Sequence, residues 1–311
     1  MKRTILKKIL SVFLAISAFF SSVVGALRTG DLTYGRKQID LSDFTLVWQD
    51  EFNGDKLDMS KWGFEWWVTT RRGGYWHEDM VSVKDGDLII RTEYKDEPLE
   101  YRYNFKPDPF HPYQSGYYTG EIITRDKYEQ LYGYFETRCI LPAGCGLWSA
   151  FWLMNSGVFN VDGDGRDGTE IDVFESFYYK DYAIGRDYIS SNLHFDGYND
   201  GHQYHHVATP LIQGDPYKEY NTYGVEWNPD EYIFYINGKE YARSSFGGVS
   251  QKPEYLLLSV EVAGDNGVPS YNPKAGSGDI RTTPSENWPV DFRVDYVRCY
   301  QYNELLQASP A

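Results

Sequence analysis

Three acids, Glu170, Asp172 and Glu175, fall within six residues of the run Gly168-Thr-Glu-Ile-Asp-Val-Phe-Glu175, which is otherwise apolar and strand-like. Side chains alternate along a strand, so Glu170 and Asp172 share a face and Glu175 would point to the other. One β-bulge between Asp172 and Glu175 returns all three to one face. Like charges crowded on a strand repel, and a purely structural strand gains nothing from them. Cleaving a glycosidic bond does need such a set: two carboxyl groups flanking one bond, about 5–5.5 Å apart where configuration is retained. A solvated strand face is the competing reading.

The elements that must position these acids read as short strands. Phe44–Trp48, Met80–Lys84, Leu88–Thr92, Tyr132–Ile140 and Gly146–Met154 are apolar or alternating runs, as are Thr222–Trp227, Tyr232–Ile236, Tyr255–Val262 and Phe292–Tyr300. Asp85-Gly86-Asp87 marks a hairpin turn, and Asn228-Pro-Asp-Glu and Asn237-Gly-Lys mark others. No amphipathic helix longer than a turn or two and no repeat is evident. Many short strands at regular spacing predict an all-β fold, a β-sandwich or jelly roll. No linker divides 41–303, so this span is expected to be one domain, with 27–40 a polar lead-in and 304–311 a disordered tail.

Lys2, Arg3, Lys7 and Lys8 precede the apolar run Ile9–Phe20 and the small-residue sequence Val24-Gly-Ala26. This pattern reads as a signal peptide over 1–26, with a membrane anchor as the alternative. Its removal takes away four basic residues and no acid, so the formal charge of −15 becomes −19 on the mature chain. Such a surface repels nucleic acid, anionic membranes and sulfated or uronate-rich polymers. The expected partner of this secreted monomer is a neutral polysaccharide. Aromatic residues make up 17% of the chain, which suits both strands and the apolar faces of sugar rings.

Cys139, Cys145 and Cys299 are too few for a disulfide framework, although Cys139 and Cys145 flank a turn that a local bridge could span. His202, His205 and His206 read as a polar loop rather than a metal site. Residues 155–168 form a polar insertion before the acidic strand. Its Asp-x-Asp-Gly spacing resembles part of a calcium loop, but a mobile loop near the cleft is the favoured reading.

Taken in order, Val47-Trp-Gln-Asp-Glu-Phe-Asn-Gly54, Tyr132-Gly-Tyr-Phe-Glu-Thr-Arg138, Gly146-Leu-Trp-Ser-Ala-Phe-Trp-Leu153, Glu170-Ile-Asp-Val-Phe-Glu175, Tyr223-Gly-Val-Glu-Trp227 and Val294-Asp-Tyr-Val-Arg-Cys-Tyr300 resemble glycoside hydrolase family 16, the laminarinase and lichenase family. The resemblance covers about residues 44–302. It implies a concanavalin A-like jelly roll with a concave substrate cleft. It also implies Glu170 as nucleophile, Asp172 as assisting acid and Glu175 as acid/base, in the bulged form of the laminarinase branch. Trp148 and Trp152 match cleft tryptophans, Trp148 as a stacking platform and Trp152 as either platform or core. His194 matches a cleft histidine, with a structural role as the alternative. The family often carries a structural Ca²⁺, whose ligands would fall at Glu51 and Gly86 (carbonyls) and Asp295 (carboxylate). No cofactor is implied for catalysis.

Two departures stand out. Trp148-Ser-Ala replaces Trp-Pro-Ala, and Gly74-Tyr-Trp-His-Glu-Asp-Met80 replaces the Asn-Asn-Glu segment of typical laminarinases. The resemblance therefore implies an endo-β-1,3(4)-glucanase first. Xyloglucan or galactan cleavage, transglycosylation, and glycan binding without cleavage are the other readings.

Overall fold

Alternating runs bounded by turn residues become strands that pair into two facing sheets. The computed structural model describes residues 37–65, 68–101, 112–178, 187–271 and 278–308. The expected signal peptide, residues 27–36 of the lead-in and 309–311 lie outside the described residues. The strands in chain order are β1 (Phe44–Asp50), β2 (Thr70–Arg71), β3 (Gly74–Trp76), β4 (Val81–Lys84), β5 (Asp87–Lys95), β6 (Gly116–Thr119) and β7 (Glu121–Ile123). Next come β8 (Gly133–Ile140), β9 (Leu147–Met154), β10 (Glu170–Phe177), β11 (Ile189–Phe195), β12 (Gln203–Ala208) and β13 (Asn221–Trp227). The last are β14 (Tyr232–Ile236), β15 (Lys239–Ser244), β16 (Tyr255–Val262), β17 (Gly264–Asp265), β18 (Val268–Pro269) and β19 (Val290–Tyr302).

One sheet runs β15-β14-β13-β8-β19-β5-β6-β3-β2, with β1 added on β19 and β4 on β5; the other runs β12-β11-β10-β9-β16-β7. A two-residue turn at Asp85 and Gly86, both at positive φ, joins β4 to β5, as the Asp-Gly pair predicts. The acid-bearing strand is central in the smaller sheet. Leu147, Phe151 and Leu153 of β9 and Leu256, Leu258, Val260 and Val262 of β16 enter the main core between the sheets. The intervening residues, including Trp148, Ala150, Trp152, Leu257, Ser259 and Glu261, therefore line the opposite face.

The bulge falls where the acid spacing requires it. Register shifts between Asp172 and Glu175 against β11, and between Asp172 and Phe174 against β9. Val173 and Phe174, consecutive in sequence, both lie in the main core. Burying an extra large apolar side chain contributes about 1.5–3 kcal/mol, whereas a ladder hydrogen bond contributes about 0.5–1.5 kcal/mol. The apolar pair outweighs the broken ladder.

Three expectations are corrected. The chain end is not disordered throughout: Asn303–Ala308 form a short helix, α1. Asn303 ties it to the first strand by accepting from Thr45 Oγ1 at 2.7 Å and donating to the Ser42 carbonyl at 2.9 Å. His205 and His206 lie on β12 rather than in a loop. No local bridge forms between Cys139 and Cys145. All three cysteines are free and pack in the main core as small apolar side chains.

A thiol reagent should therefore titrate essentially no cysteine in the native protein and three after denaturation without reductant. Fewer than three after denaturation would show a disulfide.

Candidate active site

The face turned away from the main core is built strand by strand. On β10, Glu170 pairs with His194 of β11, Asp172 with Asn192, and Glu175 with Ser190. On the other side, Asp172 pairs with Trp152 of β9, Glu175 with Ala150 and Phe177 with Trp148. Beyond them, Trp148 faces Glu261 of β16, and Asn192 and His194 face His206 and Tyr204 of β12. The bulge thus brings Glu170, Asp172 and Glu175 onto one face together with His194 and Trp148.

Each acid has its own hydrogen-bond environment. Tyr198 donates its hydroxyl to Glu170 Oε2, and Asn192 Nδ2 donates to Glu175 Oε2. Tyr204 donates to Asn192 Oδ1 at 3.1 Å, and His206 Nδ1 lies 3.0 Å from the same oxygen. The Trp148 side chain also favours the ionised form of Glu175. His194 Nε2 stands 3.3 Å from Asp172 Oδ2, within ion-pair reach but off the hydrogen-bond line. Its Nδ1 meets His202 Nε2 at 2.9 Å, with the two rings nearly coplanar.

Burial and mutual repulsion set the charge states. Burial, then the Asp172 charge, lift the Glu170 carboxyl to about 7, against the pull of His194, Tyr198 and Arg71. Glu175 is pushed well above the ordinary carboxyl range by burial and by both other acids, with His194 and Trp148 opposing. Asp172 is raised by burial and by Glu261. Burial also disfavours the charge on Glu261, but Arg71 and Arg72 outweigh it and hold this carboxylate below its usual value. Glu170 therefore ionises before Glu175, the order a nucleophile and an acid require. Asp172 between them can hold the shared proton. One donor atom from each of Glu170, Asp172 and His194 lies within 4.8 Å of the others. Glu170 is already bound to Tyr198 and His194 to His202, an arrangement suited to handling protons.

Of the two tryptophans, Trp152 departs from the platform reading. Trp152 is 9% exposed and packs with Ile123, Ala150, Met154, Val158, Tyr255 and Leu257 in a second apolar cluster. Its indole donates to Ser259 Oγ at 3.1 Å, so the core alternative describes it. Trp148 contacts Phe177, with ring centres 5.0 Å apart, and carries the Arg72 guanidinium 4.4 Å above its ring. The ring is half-buried, with Arg72 over one face. The three calcium positions do converge. Asp50 sits opposite Val297 and Leu88 opposite Val294, which brings Glu51 and Gly86 to the β19 bulge at Asp295. Asp295 is bound by Arg138, however, and the Glu51 side chain by Arg298 at 2.8 Å.

The family model described as "Beta-porphyranase A-D, GH16 domain" matches residues 47–302. The chain belongs to glycoside hydrolase family 16. It is 29% identical over 295 residues to glucan endo-1,3-beta-glucosidase A1 of Niallia circulans, covering 84% of this chain but only 38% of that protein. It is 29% identical over 262 residues to beta-porphyranase B of Zobellia galactanivorans, covering 79% of this chain and 82% of that one. The crystal structure of that porphyranase superposes with a TM-score of 0.64 at 24% identity, over 86% of this chain and 96% of the other. A non-specific endo-β-1,3(4)-glucanase superposes at 0.62 and 27% identity, over 86% and 96%. The fold is the family 16 jelly roll, and its members support a glycosidase acting on a polysaccharide.

Several site residues went unread in the sequence. Tyr198, Tyr204, His206 and Asn192 sit in polar or strand segments with no motif of their own. Arg71 ends the two-residue strand β2 and Arg72 follows it, about a hundred positions upstream, and both bind Glu261 at 2.5 Å. Only the Arg-Arg pair in so acidic a chain offered a signal.

The pH profile of kcat/KM should follow these charges. A nucleophile at Glu170 has to be ionised, so activity should fall as pH drops through about 7; an acid at Glu175 has to keep its proton, so the alkaline limb should lie well above that. Trp148→Phe removes a polar side chain that favours ionised Glu175 and should move the alkaline limb upward with the acid limb unchanged. A limb that stays fixed would remove this indole from the acid's environment.

Proposed function

We propose that this protein is an exported, retaining endo-β-glycanase with Glu170 as nucleophile, Asp172 as assisting acid and Glu175 as acid/base. The observation that carries the reading is the bulge at Val173–Phe174, which sets buried Asp172 and half-buried Glu170 and Glu175 on one sheet face with Glu170 the easier to ionise. Glu170 attacks the anomeric carbon while Glu175 protonates the leaving oxygen. Glu175 then takes a proton from water as the glycosyl-enzyme is opened. The basic and then apolar N-terminus supports export.

A neutral β-glucan is the first substrate reading, supported by the net charge and by relatives named as β-glucanases. A specific observation favours a second, an anionic β-galactan of the porphyran kind. Arg71 and Arg72 share the single acid Glu261 beside Trp148, so this three-residue group carries one positive charge in excess within an acidic protein. Local charge at the site, not the sum over the surface, meets a bound substituent.

Glu170→Gln and Glu175→Gln should each lower kcat by on the order of 10³-fold or more with the fold intact. Azide should rescue Glu175→Ala on an activated aryl glycoside as a β-glycosyl azide, but not Glu170→Ala. Full activity in either Gln variant, or inversion of the first product by NMR, would overturn the roles. Product release from laminarin, mixed-linkage glucan, xyloglucan, neutral galactan and porphyran separates the two substrate readings.

A structural Ca²⁺ at Glu51, Gly86 and Asp295 is a further part of the proposal, supported by the convergence of the three segments at the β19 bulge. The ion would take Asp295 in place of Arg138. Melting temperature should then rise with calcium concentration relative to chelator, and an unchanged value would leave Asp295 to its arginine.

A further inference from the structure

Residues 155–168, expected as a mobile loop, form a pinned wall beside Glu170. Asn155 caps its first turn by accepting from Gly157 N at 2.8 Å and donates to the Pro253 carbonyl at 2.7 Å. Gly197 N donates to the Val158 carbonyl at 2.6 Å. The buried Asp196 carboxylate accepts from Asp162 N at 3.2 Å and Gly163 N at 2.9 Å. Val161 lies so close to Gly201, at φ +97°, that a Cβ there would meet its Cγ1 at 2.5 Å. The calcium-like acids are committed inside the wall: Asp164 to Arg166, and Asp162 to the Asp164 backbone.

This fixed wall nevertheless exposes apolar side chains together. Phe159 is 57% exposed, Val161 60% and Tyr198 45%. Phe159 and Tyr198 meet edge to face, ring centres 5.8 Å apart. Tyr198 sinks its hydroxyl onto Glu170 while its ring remains open. Exposed apolar side chains grouped at the edge of a site mark a binding surface. Its occupant must continue from the nucleophile. The neighbouring exposed acids Asp162 and Asp200 favour a neutral group with hydroxyl donors. A sugar ring, with an apolar C–H face and hydroxyls at its rim, has that chemistry.

We infer that Phe159, Val161 and Tyr198 form an added glycan subsite, a platform for one uncharged sugar ring of the chain held at Glu170. The inference rests on the endo-glycanase reading for the identity of the chain. With oligosaccharides of increasing length from whichever panel polymer is cut, Phe159→Ala should lose about tenfold in kcat/KM above one chain length. Below that length it should match the parent, and its melting temperature should be unchanged. Tyr198→Phe keeps the ring and should keep the length step while shifting the acid limb of the pH profile. Equal loss at every length, or no loss at any, would overturn the platform. Should the parent cut no polymer, the catalytic reading fails instead. Affinity electrophoresis in gels containing the same polymers then tests the platform: retardation lost in Phe159→Ala supports it, and unaltered or absent retardation overturns it.

Discussion

Crowding three carboxyl groups onto one strand face, with Asp172 buried and Glu170 and Glu175 half-buried, is the constraint around which the site is organised. An ionised carboxylate taken out of water costs several kcal/mol unless it is paired, hydrogen-bonded or protonated. All three responses occur here. Tyr198 and Asn192 donate to Glu170 and Glu175, His194 lies against Asp172, and burial with like charge drives protons onto Glu175 and Asp172. The strain of crowding thereby becomes a separation of acid strengths, the separation that the proposed nucleophile and acid require.

The constraint reaches into the core. The acids can share a face only because Val173 and Phe174 both turn inward, and they can do so because the opposing sheet offers apolar partners. Phe174 packs against Tyr223 of β13, ring centres 4.6 Å apart, and edge-on to Phe292 of β19. Packing on one side of the sheet thus fixes geometry on the other. The Trp152 cluster does the same from the cleft side, giving β9 and β16 an apolar floor that keeps Asp172 dry.

Charge illustrates how a global quantity can mislead about a local one. A net charge of −15 describes long-range repulsion of polyanions and carries little weight within a Debye length of about 8 Å at physiological salt. Two arginines sharing one glutamate place positive charge beside the acids that the net total does not reveal.

The sequence by itself determined the β class, most long strands, the Asp-Gly hairpin and the acid strand with its bulge. Each follows from patterns that repeat within a few residues, alternation and turn chemistry above all. The expected strands over Tyr232–Ile236 and Tyr255–Val262 have the observed limits. Strands β11 and β12 lacked such a pattern, and with them went Asn192, Tyr204 and His206. Tertiary structure alone decided what each acid touches. It also decided that Trp152 is buried, that Arg72 covers a face of Trp148, and that the polar 155–168 segment is a wall rather than a free loop. These outcomes depend on contacts between segments up to 190 positions apart, as from Arg71 to Glu261. No local pattern encodes which distant side chain arrives at a given face.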